Sequence, residues 1–305
     1  MNRRRPGIVG ALEHLVRPLG KAALTRSTNS PADIEAVARE FLDQGVDILA
    51  LNGGDGTNHV TLSEFVRVWG DHPLPKILPL RGGTMNTVAR GMGLRTGRPT
   101  TLLLRVVEAV REGRSIPSRG YDLLRVDAGG EHPHYGFIFG NGLISNFLDV
   151  YYGYRDPSPW VGFKVLCRAA AAAARGGEAQ RRFFRRVDAG VTVDGKEWAR
   201  RDWLSVTAAT VPEIGLGFAP WPRHGERDGC FHAVGFGCTP LGVVASLPSI
   251  RLGLIPSNRS IVDAVGARLE LRCEEPRGFI VDGDYHAPAK VVNLTAGPHV
   301  AILMP

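Results

Sequence analysis

No stretch of this sequence approaches the ~18 consecutive apolar residues that a membrane-crossing helix needs. The start, Arg3-Arg4-Arg5 and then Gly7-Ile8-Val9-Gly10-Ala11-Leu12, resembles the opening of a leader, but Glu13 and His14 cut its apolar part short. Cysteine is scarce. Cys167, Cys230, Cys238 and Cys273 lie far apart, without the close His or Cys partners of a zinc site. Neither a disulfide framework nor a thiolate metal site is expected, and a reducing, cytoplasmic setting is. No segment repeats at the period of about 20–50 residues that marks solenoids and propellers. Helix-turn-helix, zinc-finger and aromatic ribonucleoprotein signatures are all missing, so nucleic acid is not the expected partner.

What is present describes a folded protein. The chain has 305 residues, 44% hydrophobic and 22% charged, enough for one large domain or two ordinary ones. Its charge, 37 − 30 = +7, suits a phosphorylated ligand or an anionic membrane surface. A homodimer is compatible with these features, which set no oligomeric state.

The most informative stretch is Asp47-Ile48-Leu49-Ala50-Leu51-Asn52-Gly53-Gly54-Asp55-Gly56-Thr57-Asn58. A short apolar run bounded by turn residues reads as a buried parallel strand. A helical pattern follows, with Val60, Phe65, Val66 and Trp69 as its apolar positions. Strand, glycine turn and helix together aim backbone N–H groups and a positive helix end at phosphate. Asp55 inside such a turn makes sense when a divalent cation or water offsets its repulsion from the phosphates. An ordinary glycine-rich strand-to-helix turn is the structural alternative. Lys76-Ile77-Leu78-Pro79-Leu80 is a second strand, and Arg81-Gly82-Gly83-Thr84-Met85-Asn86-Thr87 follows it. Two successive strands ending in glycine-threonine turns place two backbone cradles side by side at a carboxyl edge.

These two motifs, Gly53-Gly54-Asp55-Gly56-Thr57 and Pro79-Leu80-x-Gly82-Gly83-Thr84-x-Asn86-x-x-Ala89-Arg90, resemble the diacylglycerol kinase catalytic-domain family. The first is shared with NAD kinases and, more loosely, phosphofructokinases; the second favours the lipid kinases. The resemblance runs from about residue 28 to 284 on four ordered motifs. It implies ATP and Mg²⁺ as cofactors, with Thr28, Gly53, Gly54, Asp55, Gly56, Thr57, Asn58, Gly83, Thr84 and Asn86 around the nucleotide. It also implies that Asp122 is linked through water and magnesium to Asp55. Gly225, Asp228 and Cys230, in the loop from Pro220, would hold a structural cation, the glycine and cysteine through their carbonyl oxygens. In Asp282-Gly283-Asp284, Asp284 stands where the family has a glutamate acting as general base, and phosphoryl transfer to an alcohol requires such an acceptor for the hydroxyl proton. Each site also has a plainer reading: a strand-edge carboxylate at Asp122, an Asp-Gly turn at Asp228, and a hairpin turn at Asp282-Gly283.

Elsewhere the chain reads as two domains. Residues 1–117 form a doubly wound α/β nucleotide-binding domain, and residues 118–305 a β-sandwich holding a lipid substrate. Ser30-Pro31-Ala32-Asp33 starts a helix whose apolar stripe is Ile34, Val37, Ala38, Phe41 and Leu42, stopped by Gly45. Strands are expected at Tyr121–Asp127, Tyr135–Gly140, Val187–Val193, Trp203–Ala209, Cys230–Phe236, Leu269–Cys273, Phe279–Asp282, Val291–Leu294 and Val300–Met304, and a helix at Trp160–Arg175. Arg181-Arg182-Phe183-Phe184-Arg185-Arg186 alternates charge with aromatics and, with the apolar Pro240–Ile255, suits peripheral contact with an anionic inner membrane face.

Two departures from the family pattern weaken the expected site. Thr87 replaces an aspartate, and the amino terminus lacks the family's first strand with its Asn-Pro phosphate loop, as if the reading frame began too late or this lineage had dispensed with that strand. The function expected is an ATP-dependent lipid kinase acting on diacylglycerol or a sphingoid-like alcohol. The alternatives are an NAD-kinase-like phosphotransferase and a catalytically inactive lipid- or nucleotide-binding homologue.

Overall fold

Local signals in the first third of the chain become helices and strands for identifiable reasons. A computed structural model describes residues 7–94 and 97–305; the basic start at Arg3–Arg5 lies outside them. The chain divides into two units, Met1–Tyr121 with His299–Pro305, and Asp122–Pro298.

The first unit opens with α1 (Ile8–Val16) and a 3-10 turn over Arg17–Ala22. Next comes α2 (Pro31–Asp43), whose start is a full capping box. Ser30 Oγ accepts from Asp33 N–H, and the Asp33 carboxylate accepts from Ser30 and Asn29 N–H. Gly45 closes the helix with φ +63°. There follow β1 (Ile48–Leu51), α3 (Asp55–Trp69), β2 (Lys76–Pro79), α4 (Thr87–Gly91), α5 (Pro99–Arg111) and β3 (Ser118–Asp127), which runs on into the second unit.

β1 and β2 pair in parallel, Leu49 beside Ile77. One sheet face presents Leu78 and Leu80 to Leu12 of α1 and to Leu102, Leu103, Val106 and Val107 of α5. Leu49, Leu51 and Ile77 alternate to the other face. There α2 packs on α3, with Phe41 edge-on to Phe65 and the Trp69 indole donating to Ala38 O. Helices on both faces of a parallel sheet make the unit doubly wound. The third strand comes from the far end of the chain, where Ile302 pairs in parallel with Ile77. The sequence had placed that final strand in the second domain.

The second unit contains β4 (His134–Gly136), β5 (Ile138–Asn141), α6 (Leu143–Tyr152), α7 (Pro159–Arg175), α8 (Gly177–Phe183), β6 (Val187–Val193), β7 (Lys196–Glu197), β8 (Asp202–Trp203), β9 (Ser205–Ala209) and β10 (Phe231–Phe236). It continues with α9 (Pro240–Arg251), β11 (Ile261–Gly266), β12 (Arg268–Val281) and β13 (Asp284–Leu303), whose end belongs to the first unit. Its strands pair antiparallel in the order β12-β5-β9-β10-β11. The first half of β12 pairs instead with β6, Leu271 beside Val191. Between Arg272 and Phe279 the register of β12 shifts. Pro276, with no N–H to donate, lies in that stretch. The strand thereby serves two pairings around one core of Val187, Ala189, Val191, Phe139, Trp203, Phe231, Phe279 and their neighbours.

Several expected boundaries move. Tyr135–Gly140 is not one strand: it breaks at Phe137, because the N–H groups of Phe137 and Ile138 go to the Asp282 carboxylate. The segments expected at Leu269–Cys273 and Phe279–Asp282 are one long bent strand, and those at Val291–Leu294 and Val300–Met304 are another. α6 and β11 carry no sequence expectation; α6 is rich in β-branched and aromatic residues, which mask its helical period.

Candidate active site

In the first unit, both glycine turns leave the carboxyl ends of adjacent parallel strands and meet. A Cβ placed on Gly83 would lie 2.3 Å from Gly54 Cα, and one on Gly82 would lie 2.6 Å from Asn52 Oδ1. No side chain fits between these turns, so the glycines are required by the contact itself. α3 begins at Gly54 with no side-chain cap, which leaves its first-turn N–H groups open as anion donors. Thr57 is exposed, with its side chain folded over Gly53; Gly56 and Thr84 are half-buried.

Two side chains hold the second turn in place. Asn86 adopts the left-handed conformation at φ +49°, and its amide closes a ring with Gly83. Gly83 N–H donates to Asn86 Oδ1, and Asn86 Nδ2 donates to Gly83 O, both at 2.9 Å. Asp55 reaches across from the first turn to accept from Thr87 N–H at 2.8 Å and Val88 N–H at 3.1 Å, capping α4. Burial pushes the Asp55 carboxyl up to about 6, against those hydrogen bonds and one from the Thr87 side chain, all of which favour the ionised form. Asn86 is thus a brace for the cradle, and Asp55 ties the two turns together.

The cradle's residues fit a nucleotide phosphate accompanied by a hard cation. Asn52 Oδ1 and Asn58 Oδ1 are buried acceptors without a hydrogen-bond partner among the described residues. An oxygen acceptor in that state suits a cation or its hydration water. Thr28 lies half-buried in the segment before α2, and no hydrogen bond of the cradle comes from it among the described residues.

In the second unit, Asp282 and Gly283 form the two-residue hairpin between β12 and β13, with φ +49° and +83°. Both positive angles are what a type I′ turn demands. Asp282 is buried and structural: its Oδ1 accepts from Phe137 and Ile138 N–H at 2.9 and 2.8 Å. Asp284 is the first residue of β13, half-buried and paired with Val281. Burial lowers the basicity of His134, and the Asp284 charge opposes that shift. The ring of His134 lies 3.9 Å from that of His286, which stacks on Phe279. Tyr152 donates to Gly283 O at 3.4 Å, and Tyr285 to Ser145 O at 2.7 Å, so α6 is fastened beside the turn.

The turn ahead of β10 is organised around Asp122, whose Oδ2 accepts from Gly229 N–H at 2.9 Å. The structure therefore brings Asp122 to Gly229, the residue between Asp228 and Cys230. Gly225 and Gly229 hold φ +67° and +66°, Asp228 is exposed, and Cys230 is buried with its Sγ facing Arg227 Nε. A brace behind the turn runs through buried His232, which accepts from Arg223 N–H at Nδ1 and so presents its Nε2 proton to Asp263. His134, His286, Tyr152 and Asn52 were not among the sequence candidates. Only the shared face of Asp284 and His286, two residues apart on one strand, pointed to any of them.

Paired glycine turns at adjacent parallel strand ends, joined by the Asp55 carboxylate, mark the doubly wound α/β unit as the place to compare with known proteins. Residues 4–117 match the family model of the diacylglycerol kinase catalytic domain. No curated protein matches the chain. Among solved structures it resembles a diacylglycerol kinase from Bacillus anthracis str. Sterne, at 14% identity and TM-score 0.65, over 97% of this chain and 91% of that one. A presumptive diacylglycerol kinase from the same organism is similar at 16% identity and TM-score 0.70, with the same coverage. An Archaeoglobus fulgidus NAD kinase solved with ATP is similar at 13% identity and TM-score 0.50, over 99% of this chain and 91% of that one. At these identities the likeness is one of fold.

Proposed function

We propose that the protein is an ATP- and Mg²⁺-dependent lipid kinase that transfers the γ-phosphoryl group to a lipid hydroxyl, of diacylglycerol or a sphingoid-like alcohol. The observation that carries this reading is the contact of Gly54 with Gly83, which leaves a side-chain-free floor beneath the open start of α3. Backbone N–H groups of Gly54, Asp55 and Gly56 would hold the nucleotide phosphates, with Thr57 and Thr84 beside them. Asn52, Asn58 and Asp55 would serve the magnesium through oxygen, directly or by water. Bound Mg²⁺ neutralises phosphate charge as it develops. Asp284 would accept the proton of the attacking hydroxyl, with His134 and His286 keeping the base in a partly dry setting. Asp122 and the Gly225–Cys230 turn would hold a second cation in a structural role.

The substrate suggests a membrane-facing surface, and the second unit offers one. Trp160 and Phe163 of α7 stack on each other while 62% and 48% exposed, and Leu252, Leu254 and Ile255 are exposed just beyond α9, which packs on α7. Lys164 lies over the Trp160 ring, and Arg168 continues the same helix face. Aromatics flanked by cations suit the interface of an anionic bilayer. The run at Arg181–Arg186 suits it less than its sequence suggested, because Phe183 and Phe184 are buried.

Incubation with radiolabelled ATP, Mg²⁺ and mixed lipid extract, beside Asp284→Ala, tests the reading. Label in an organic-soluble product, lost in the variant, supports it. Label on a soluble acceptor favours an NAD-kinase-like reaction. ATP binding with no transfer favours the inactive homologue, to which Thr87 in place of the family aspartate lends weight.

A further inference from the structure

Apart from these sites, the second unit contains a cavity of about 300 Å³. Gly142 and Ser145 at the start of α6, Arg185 and Arg186 ahead of β6, and Arg277 and Gly278 past the bend of β12 form much of its wall, and no acidic residue lines it. The three guanidinium groups differ in how far they are engaged. Arg186 is committed to Asp202 and to the carbonyls of Gly237 and Cys238. Arg277, 23% exposed, meets Glu275 at 3.3 Å; that acid is 70% exposed, so the pair is weak. Arg185 is exposed, and no carboxylate bridges it among the described residues.

The start of α6 adds donors to this wall. Gly142 is its N-cap and supplies no side chain to cap the helix. Leu143 N–H is taken by Leu204 O, which leaves the first-turn N–H groups of Ile144 and Ser145 open. Ser145 Oγ is buried and has no hydrogen-bond partner among the described residues. Tyr285 and Asn146 fix this wall, donating to Ser145 O and Phe183 O at 2.7 and 3.0 Å.

We propose that this cavity binds a phosphate-type oxyanion, held between Arg185 and Arg277 on one side and the start of α6 on the other. A tetrahedral oxyanion accepts from both sides at once, and guanidinium groups match it bidentately. The cavity exceeds a bare phosphate, so an anionic phospholipid headgroup and free phosphate are its two sources. The site stands independently of the kinase reading, and its binding is measured without nucleotide.

Calorimetric titration of the full chain with inorganic phosphate, beside Arg277→Gln and Arg185→Glu, is the test. Arg185 makes no ion pair among the described residues, so its variant keeps the test valid even where Arg277→Gln lowers stability. The expected result is an affinity reduced on the order of tenfold in each variant, as loss of one charge-assisted bond implies. Titrations unchanged in both variants place any phosphate elsewhere, at the glycine turns for example, and overturn the proposal, as does no phosphate binding at all. Co-sedimentation with phosphatidylcholine vesicles, with and without phosphatidylglycerol, separates the sources. Anionic-vesicle binding that falls with the same variants identifies a headgroup. Vesicle binding that is unchanged while phosphate binding falls identifies free phosphate.

Discussion

Asp282 and Asp284 sit two positions apart and do opposite work. Removing the Asp282 carboxylate leaves the Phe137 and Ile138 N–H groups buried and unpaired and puts an ordinary residue at φ +49°. Asp282→Ala should cost about 2–4 kcal/mol in denaturant unfolding, while Asp282→Asn, which keeps an acceptor and tolerates that angle, should cost less. Asp284→Ala should leave the unfolding midpoint nearly unmoved and abolish transfer to lipid; a large stability loss would make Asp284 structural. Asp55 carries a pH signature. Its carboxyl rises from 3.8 to about 6 on folding because burial outweighs its hydrogen bonds. The contribution is therefore fully present below pH 3.8 and lost as pH rises through 6. Asp55→Asn should flatten that part of the stability-against-pH curve, by roughly 3 kcal/mol at most. A curve of unaltered slope would show that the carboxyl is not held in its buried state.

At the level of elements, the functional unit is a pair of turns rather than a residue. Gly83→Ala puts a methyl group 2.3 Å from Gly54 Cα, so the turns must separate. Stability should fall by about 1–3 kcal/mol, and ATP binding, measured by fluorescence or calorimetry, by tenfold or more. Retained ATP affinity would mean that the turns do not act together. The elements around them were largely legible in sequence. Ser30, Pro31 and Asp33 announced the start of α2, and the capping box is formed. The bent β12 was not legible, because a bulge around Pro276 looks in sequence like the gap between two strands. In sequence, a hairpin turn at Asp282-Gly283 and a catalytic role for Asp284 are alternative readings of one motif. They are compatible, since the turn is what sets the position of the carboxylate.

For the whole molecule, membrane contact is the property to test. Trp160→Ser together with Phe163→Ser removes exposed aromatic surface without touching the core. Partition onto anionic vesicles should drop several-fold while the unfolding midpoint stays within a few degrees. Unchanged partition would move the contact elsewhere. No described helix is long and apolar enough to cross a membrane.

By itself the sequence determined the paired glycine turns, the parallel strands that lead into them, the helix starts and the β-rich second half. All of these rest on local chemistry: glycine where backbones touch, proline and serine at helix starts, and apolar periods matched to helix or strand. Only the tertiary structure decided that Asn86 braces Gly83, that Asp55 caps α4, that Asp122 belongs with the Gly229 turn, and that residues 299–305 complete the first sheet. Those pairings join residues separated by as few as three and as many as about two hundred positions. Side-chain direction and chain return, which no local pattern encodes, set which donor meets which acceptor.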